Sequence, residues 1–351
     1  DLTLMHADIN NGYDMWSRDN SFTTLSDKPG KDKQKTSAGS LKVQYDGAES
    51  YRLTSTTAYA QSDMIYSYDE NWVTGGNFYE NNKNRNNISQ ELRWVSTQPV
   101  FSQSTDWLFG LYASQLNEDN ATISSSTSSK YQLNKAAGFV QFDHHLTTKT
   151  TLITGIRVEQ VSSDYTHSSG DDFSPNEVLW GGQLTLNHQL NTQNSVYTGL
   201  SKGYKSGGFN SELQGYGITD PNLLKFHSET AYNLELGHKF NGSRLTTQTT
   251  AFYTIRDNPQ FDGYSYDAFG GGEWVFFTEN FDSAKNYGLE TQINWQHTPR
   301  LNLFSQLGLL QTEVTGTPRN SYFQINGREQ AHAPSYQYLV GVEYRNDLGW
   351  F

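Results

Sequence analysis

The clearest structural signal in the chain is one alternating segment, Tyr232-Asn233-Leu234-Glu235-Leu236-Gly237-His238-Lys239-Phe240. Every second residue is large and mostly apolar, and the residues between them are polar or glycine. Because successive side chains of a strand point to opposite faces, a period of two predicts a β-strand with one apolar and one polar face. The next residues, Asn241-Gly242-Ser243, are typical of a tight turn. Alternation resumes from Leu245 to Ile255, which predicts a second strand.

Comparable alternation recurs along the whole chain, in about 14 segments, and no segment has the 3.6-residue period of an amphipathic helix. The links between segments are alternately very short and long. The long ones are predicted at Asn10–Lys35, Asp63–Asn86, Asn117–Asn134, Ser163–Asn176, Gly203–Phe226, Asp257–Asp282 and Thr315–Pro334. This order is typical of up-and-down antiparallel strands with tight turns at one rim. Greek-key sandwiches mix both kinds of link at each end.

Composition agrees with a sheet that needs no thick protein core. Hydrophobic residues make up 34% of the 351 residues, although aromatic residues reach 14%. Many alternating segments are long enough to cross a bilayer, which takes roughly 9–11 tilted residues. Aromatic side chains such as Tyr45, Trp94 and Trp295 lie near segment ends, as in an interfacial girdle. We therefore predict an all-β, transmembrane, antiparallel up-and-down β-barrel that occupies residues 1–351 as one domain.

Several classes of protein are disfavoured by composition and spacing. The chain has no cysteine and a net charge of −12, which argue against thiolate chemistry and against nucleic acid as a partner. The acidic balance is also unfavourable for a bare polyanion. Gly199–Gly203 matches the G-x-S-x-G pattern of hydrolases, but no helical segment follows it, so we predict no catalytic residue and no enzyme. The nine histidines show no metal-ligand spacing, and no metal site is predicted.

The predicted long loops are unusually aromatic, although exposed loops normally avoid apolar patches. Either these side chains pack on one another, or they line a mouth that binds a flat or sugar-like ligand by stacking. Both can hold together. A basic run, Lys28–Lys35, stands out in the acidic chain. It is interpreted either as a solvated loop or as a contact for anionic lipid headgroups at the outer rim.

Several segments resemble motifs of TonB-dependent outer-membrane receptors. The most specific is Ser201-Lys202-Gly203-Tyr204-Lys205-Ser206-Gly207-Gly208-Phe209-Asn210, which resembles a strand-end motif of that family. The others are Leu53–Tyr59, Ser89–Arg93, Thr154–Arg157, Glu229–Gly237 and Asn286–Glu290. They occur in the family's order and cover nearly all of the chain. The siderophore (iron-chelate) receptors are the most similar type.

The resemblance implies a barrel of about 22 strands that is plugged by an N-terminal domain carrying the TonB box. On this reading residues 1–351 are a partial barrel, without the plug domain and the C-terminal strands. It also implies an outer-membrane receptor of a Gram-negative bacterium for active uptake of an iron chelate. Its partners would be the TonB–ExbB–ExbD complex through the missing plug, the chelate, and outer-membrane lipid and lipopolysaccharide. Iron would be present only within the transported chelate, and no cofactor is expected.

Ligand binding is assigned to aromatic side chains of the predicted loops and to the strand-end motif. The candidates are Tyr13, Trp16, Tyr66, Tyr68, Trp72, Phe78, Tyr79, Phe209, Asn210, Tyr264, Tyr266 and Trp274.

Two alternatives remain open. A passive porin-type channel would have a signal peptide directly before this sequence, whereas a receptor would have a plug and TonB box there. A surface protein that binds or cleaves glycans would be soluble without detergent.

Overall fold

The computed structural model of the chain describes residues 1–12, 16–17, 19–101, 104–170, 172–211, 213, 221–266, 274–316, 326–346 and 349–350. Tyr13, one of the predicted ligand-binding residues, lies outside these ranges. In the described part of the chain, no helix has the length and apolar character needed to cross a bilayer.

Over these residues the chain forms twenty strands, of which fourteen are between 11 and 21 residues long. The long strands are β1 (Leu2–Gly12), β2 (Lys31–Tyr45), β3 (Tyr51–Asp69), β4 (Phe78–Ser96), β5 (Thr105–Thr122), β6 (Thr127–Thr147), β7 (Thr150–His167), β9 (Asn176–Gln189), β10 (Asn194–Lys205), β13 (Glu229–Asn241), β14 (Leu245–Asp257), β17 (Ser283–Thr298), β18 (Leu301–Thr315) and β19 (Tyr336–Asn346). The short elements are β8 (Asp172–Phe173), β11 (Gly208–Phe209), helix α1 (Pro221–Leu224), β12 (Lys225–Phe226), β15 (Gln260–Tyr266), β16 (Trp274–Asn280) and β20 (Gly349–Trp350).

The long strands follow one another through a single sheet in chain order. The order is β1-β2-β3-β4-β5-β6-β7-β9-β10-β13-β14-β17-β18-β19-β20, and β8 pairs with β7. The pairs β11–β12 and β15–β16 form two separate small hairpins. The prediction of an all-β, up-and-down antiparallel fold is confirmed, and the fourteen long strands match the number of alternating segments.

The chain divides into two compact units. The first comprises residues 1–98, 108–139 and 158–179. In this unit Tyr45, Leu53, Trp94 and Phe109 face one another in register across β2, β3, β4 and β5. The rings of Trp94 and Phe109 lie 5.4 Å apart. This row lies toward the short-turn end of the apolar face, where an aromatic girdle is expected.

The second unit comprises residues 99–107, 140–157 and 180–351. Its apolar face is open to the surroundings, since Leu236 is 62% exposed and Val340 is 74% exposed. A transmembrane barrel presents such a face to lipid. One buried apolar cluster of this unit consists of Phe281, Ala284 and Val314, with Phe261 packed against it. It lies at the long-loop end of β17 and β18.

Strands extend further than the sequence predicted at the long-loop end. Cross-strand pairing continues to Asp69 and resumes at Phe78, so most of the predicted loop Asp63–Asn86 is strand. The predicted loops Asn117–Asn134 and Ser163–Asn176 shorten in the same way, because β5, β6 and β7 reach into them. Asparagine disfavours strands intrinsically, and pairing with a neighbouring strand overrides that preference here. The basic run is also largely strand, because β2 begins at Lys31.

Candidate ligand-binding site

An aromatic cluster lies on the polar face of the sheet at the long-loop end of β3 and β4. Tyr66 and Tyr68 are two residues apart on β3, so their side chains share a face, and their rings lie 5.6 Å apart. Tyr79 on β4 stands directly opposite Tyr68, with the ring centroids 5.1 Å apart. The apolar residues of β3, such as Leu53 and Tyr59, lie at odd positions and therefore on the other face.

The connection between β3 and β4 adds Trp72 to this cluster. Its ring stacks on Tyr68 at 5.8 Å with an interplanar angle of 14°. Trp16, from the β1–β2 connection, meets Trp72 edge-on at 6.0 Å. We call Trp16, Tyr66, Tyr68, Trp72 and Tyr79 the aromatic cluster. Trp72 has a φ of 58°, a left-handed conformation that residues other than glycine seldom adopt, so the surrounding turn must hold it.

Asp69 provides that support from the end of β3. Its carboxylate accepts hydrogen bonds from the Ser26 hydroxyl at 2.7 Å and from the Asn71 backbone N–H at 3.3 Å. The Asp69 side chain is fully buried. The Ser26 hydroxyl, together with backbone N–H groups of the turn, holds the pKa of Asp69 below its ordinary value. The β1–β2 and β3–β4 connections are thereby joined directly beside Trp72.

The cluster still presents open ring surface. Tyr66 is 41% exposed and Trp16 is 48% exposed, whereas Tyr68 and Trp72 are partly covered by their neighbours. The two exposed rings of this contiguous group of five can stack on the flat groups of a ligand. Phe78 is not part of the cluster, because it stands opposite Asp69 in the register and its side chain therefore points to the other face.

The hairpin β15–β16 carries the candidate residues of the second unit. Tyr264 stands opposite Phe276, with their rings 6.1 Å apart, and both are more than half exposed. Tyr266 and Trp274 form the last described pair of the hairpin in the backbone register. These residues were expected in an irregular loop and are instead on two short strands.

A polar network fixes the base of this hairpin to the sheet. Glu229, at the start of β13, accepts from Nε and Nη2 of Arg256 at 2.5 and 2.8 Å and from the backbone N–H of Gln260 at 2.9 Å. The Arg256 guanidinium lies 5.0 Å from the Phe261 ring centroid and donates to Gln330 at 3.2 Å. The ion pair between Glu229 and Arg256 therefore joins the hairpin and the β18–β19 connection to strands β13 and β14 of the main sheet.

Asn210 has a structural role in the same unit. It is buried, and its side-chain amide donates to the Thr278 carbonyl at 2.8 Å and accepts from the Thr278 N–H at 2.7 Å. The same amide donates to the Leu223 carbonyl at 3.0 Å. The neighbouring Phe209 lies on β11 and pairs with Lys225. Asn210 thus positions β16, and ligand contact by Asn210 or Phe209 stays a prediction.

The structure brings five of the predicted residues together in the aromatic cluster and places Tyr264 on a different unit. Sequence reasoning did not single out Phe276, Asp69 or the Glu229–Arg256 pair. Phe276 was visible as part of an aromatic-rich segment, and Glu229 opens one of the family-like segments, but nothing in the local sequence indicated the pairing of Glu229 with Arg256 or the support by Asp69. Within the described residues, no group of three or more His, Asp or Glu side chains is arranged to hold a metal ion.

Long antiparallel strands in chain order, an exposed apolar face and aromatic side chains at the long connections define the transmembrane β-barrel class. A family model described as TonB dependent receptor-like, beta-barrel, matches residues 3–351. The chain belongs to the TonB-dependent receptor family and corresponds to its β-barrel.

Individual relatives agree with this membership. The pesticin receptor of Yersinia enterocolitica (serotype O:8, biotype 1B) is 26% identical over 224 residues, covering 60% of this chain and 31% of that protein. The ferric yersiniabactin uptake receptor FyuA from Yersinia pestis superposes with a TM-score of 0.74 at 20% identity, covering 97% of this chain and 52% of that one. The siderophore receptor PiuA from Acinetobacter baumannii gives a TM-score of 0.72 at 14% identity, over 98% and 59% of the two chains. The chain thus spans less than two thirds of each of these proteins.

Proposed function

We propose that this chain is the barrel part of an outer-membrane receptor that takes up a ferric siderophore or a similar iron chelate by active transport in a Gram-negative bacterium. The observation that carries the proposal is the aromatic cluster on the polar face of a TonB-dependent receptor barrel, at the end where the long connections lie. Stacking walls combined with a few placed polar groups are typical of small-molecule sites. Relatives named for siderophore uptake support iron as the cargo.

Energy for uptake would come from the TonB–ExbB–ExbD complex acting on a plug domain. The proposed activity is transport and not catalysis, and iron is cargo within the chelate. The outward-facing side chains of Lys31 and Lys33 on β2, above the apolar face, suit contact with anionic headgroups of outer-membrane lipid and lipopolysaccharide.

The test is uptake of radioactive iron from a panel of purified chelates by iron-limited cells. Cells that lack the gene, cells complemented with it, and complemented cells without TonB are compared. We expect uptake of at least one chelate only when both the gene and TonB are present. Uptake that is independent of TonB would favour a passive channel, and a purified protein that stays soluble without detergent would contradict a membrane barrel.

The aromatic cluster is tested by replacing Trp72 with Ala in the complete receptor. Loss of one stacking wall should weaken chelate binding by about tenfold, since an aromatic contact contributes roughly 0.5–1.5 kcal/mol beyond its buried area. Trp295→Ala is the matched control, because Trp295 lies on the exposed apolar face of β17. Both variants should keep heat-modifiable barrel migration on gels. Equal binding by the two variants would remove the cluster from the site.

A further inference from the structure

Four histidines recur on the apolar face of the second unit, toward the end where the short turns lie. Each follows a large apolar residue by two positions, near the end of a strand that runs into a short turn. The four pairs are Phe142 and His144 on β6, Leu186 and His188 on β9, Leu236 and His238 on β13, and Trp295 and His297 on β17. Residues two apart on a strand share a face, so the histidines point to the same side as these apolar residues. That side is exposed, as the 62% exposure of Leu236 shows, and in a membrane barrel it faces lipid.

The order of the strands spaces these histidines regularly. In the sheet, β6, β9, β13 and β17 alternate with β7, β10 and β14. His188 and His238 both stand opposite Val196 of β10, which places the two rings at one height on one face. Because neighbouring strands are about 4.8 Å apart, successive histidines are separated by about 10 Å across the sheet. We call His144, His188, His238 and His297 the histidine row.

Three rings of the row are held through one nitrogen by the first residue of a neighbouring strand. The hydrogen bonds join His144 Nδ1 to the Thr105 hydroxyl at 3.0 Å, His188 Nδ1 to the Thr150 hydroxyl at 2.9 Å, and His238 Nε2 to Oδ1 of Asn194 at 3.1 Å. Within the part of the chain that the structure describes, the second nitrogen of each ring has no hydrogen-bond partner. A polar atom without a partner is costly in hydrocarbon, so these nitrogens need partners from the polar boundary of the bilayer.

The charges around the histidine row favour an anion as that partner. The adjoining turns carry the cations Lys149 before β7, Arg244 before β14 and Arg300 before β18. By strand alternation, the other charged residues at this end point to the polar face; they are Asp106, Asp143, Lys239, Glu343 and Arg345. Among the described residues of this unit, no carboxylate therefore shares the outward face at the level of the row. A phosphate that approaches from the lipid side meets ring nitrogens and turn cations without a repelling acid.

We propose that the histidine row binds the phosphate groups of anionic phospholipids in the inner leaflet of the membrane, and that mildly acidic pH strengthens this binding. The short turns of outer-membrane barrels face the periplasm, so the row lies in the inner leaflet. Histidine changes its charge between about pH 5 and 8, and the protonated ring donates from both nitrogens. A charge-assisted hydrogen bond to a phosphate oxygen then replaces a neutral one. This contact depends on the membrane barrel alone and not on the transported ligand.

The test uses the complete purified receptor in phosphatidylcholine bilayers that contain a trace of spin-labelled phosphatidylglycerol or spin-labelled phosphatidylcholine. Electron spin resonance measures how much of each labelled lipid is immobilised on the protein, and the ratio gives the preference for the anionic lipid. We expect this preference to rise about twofold to fivefold between about pH 8 and about pH 5.5, since one added charge near the membrane surface corresponds to about fivefold. Lysine and arginine stay charged at both pH values, so they cannot produce the rise.

Glutamine variants assign the rise to the row, because glutamine can hydrogen-bond but does not titrate. The double variant His188→Gln/His238→Gln should lose about half of the rise or more, since it removes two of the four rings. The matched control is His145→Gln, which removes a histidine at the same strand end but on the polar face, where the ring contacts Asp106 at 2.9 Å. This control should keep the wild-type rise. Heat-modifiable migration on gels checks that each variant still forms a barrel.

Three results would overturn the proposal. The first is a wild-type lipid preference that stays the same at both pH values. The second is an equal rise for both labelled lipids, which would indicate a change of the whole barrel surface and no contact with an anion. The third is a full rise in the double variant, or its loss in the His145→Gln control. None of these results would affect the proposed uptake of an iron chelate, which is tested separately with cells.

Discussion

The ion pair between Glu229 and Arg256 offers the sharpest test of how the second unit holds its hairpin. Replacing Arg256 with Met keeps much of the side-chain volume but leaves the Glu229 carboxylate in a buried position, where the Gln260 N–H is its one remaining hydrogen-bond donor among the described residues. The change also removes the cation above the Phe261 ring and frees Gln330 from its donor. Each of these contacts joins the hairpin β15–β16 or the β18–β19 connection to the main sheet.

The expected magnitude follows from burial. The two side chains are 19% and 10% exposed, so the pair is close to a buried one. Removing one partner of a buried pair costs roughly 3–5 kcal/mol, and some exposure places this pair near the lower end, at about 3 kcal/mol. Since about 1.4 kcal/mol corresponds to tenfold, local opening of the hairpin should become about a hundredfold more frequent.

Hydrogen exchange followed by mass spectrometry measures this opening directly. Amides of β15 and β16 should exchange about a hundredfold faster in Arg256→Met, while amides of β2 and β3 keep their wild-type rates. The matched control is Arg52→Met, which breaks the exposed pair with Asp46, whose side chains are 51% and 54% exposed. Exposed pairs contribute about 0–1 kcal/mol, so little change is expected there. Unchanged exchange of the hairpin in Arg256→Met would refute the assigned role of the network.

Three further perturbations test other supports. The pKa of Asp69 is lowered in the folded protein, so the ionised carboxylate stabilises the turn at neutral pH. This stabilisation is lost as the pH falls below about 4 toward the folded pKa. Asp69→Asn should therefore remove the acid sensitivity of amide hydrogen exchange in the β3–β4 connection. In Gly30→Ala the new Cβ would lie 1.8 Å from the Ser67 carbonyl oxygen, so the β1–β2 connection must move and tryptophan fluorescence should change, whereas Gly203→Ala meets nothing within 4 Å and should be silent. Asn210→Leu leaves backbone groups of β16 without partners, which costs roughly 1–3 kcal/mol and should speed exchange of that strand.

Sequence periodicity predicted the class and order of the strands because each alternating segment must bury or expose one whole face. It could not predict where strands end. The segment Asn81–Asn86 is rich in asparagine and was predicted as part of the loop Asp63–Asn86, yet every residue of it pairs with β3. The partner strand supplies the hydrogen bonds that local propensity does not anticipate. Strand ends therefore depend on the neighbour, which is not encoded in any short window of sequence.

Local sequence patterns were equally unable to predict which side chains lie close together in the fold. Trp16 and Trp72 lie on different connections, and only the packing of those connections brings their rings together. Conversely, Asn210 belongs to a recognisable strand-end motif, but its amide is committed to the backbone of β16. A polar residue in a motif can thus hold a loop in place, and the sequence alone does not distinguish that role from ligand contact.

The aromatic cluster shows that loop aromatic side chains pack on one another, and ligand binding by the same rings stays a prediction. Tyr68 and Trp72 cover each other and are held by the turn at Asp69, while Tyr66 and Trp16 keep open faces. A ring that is already fixed loses little conformational freedom when a ligand stacks on it, so the packed members make the exposed members better binding surfaces. Loosening the support should therefore lower affinity for the chelate, although the Asp69 side chain is itself buried. Wild-type affinity in an Asp69→Asn receptor with demonstrably faster loop exchange would show that the exposed rings do not depend on this preorganisation.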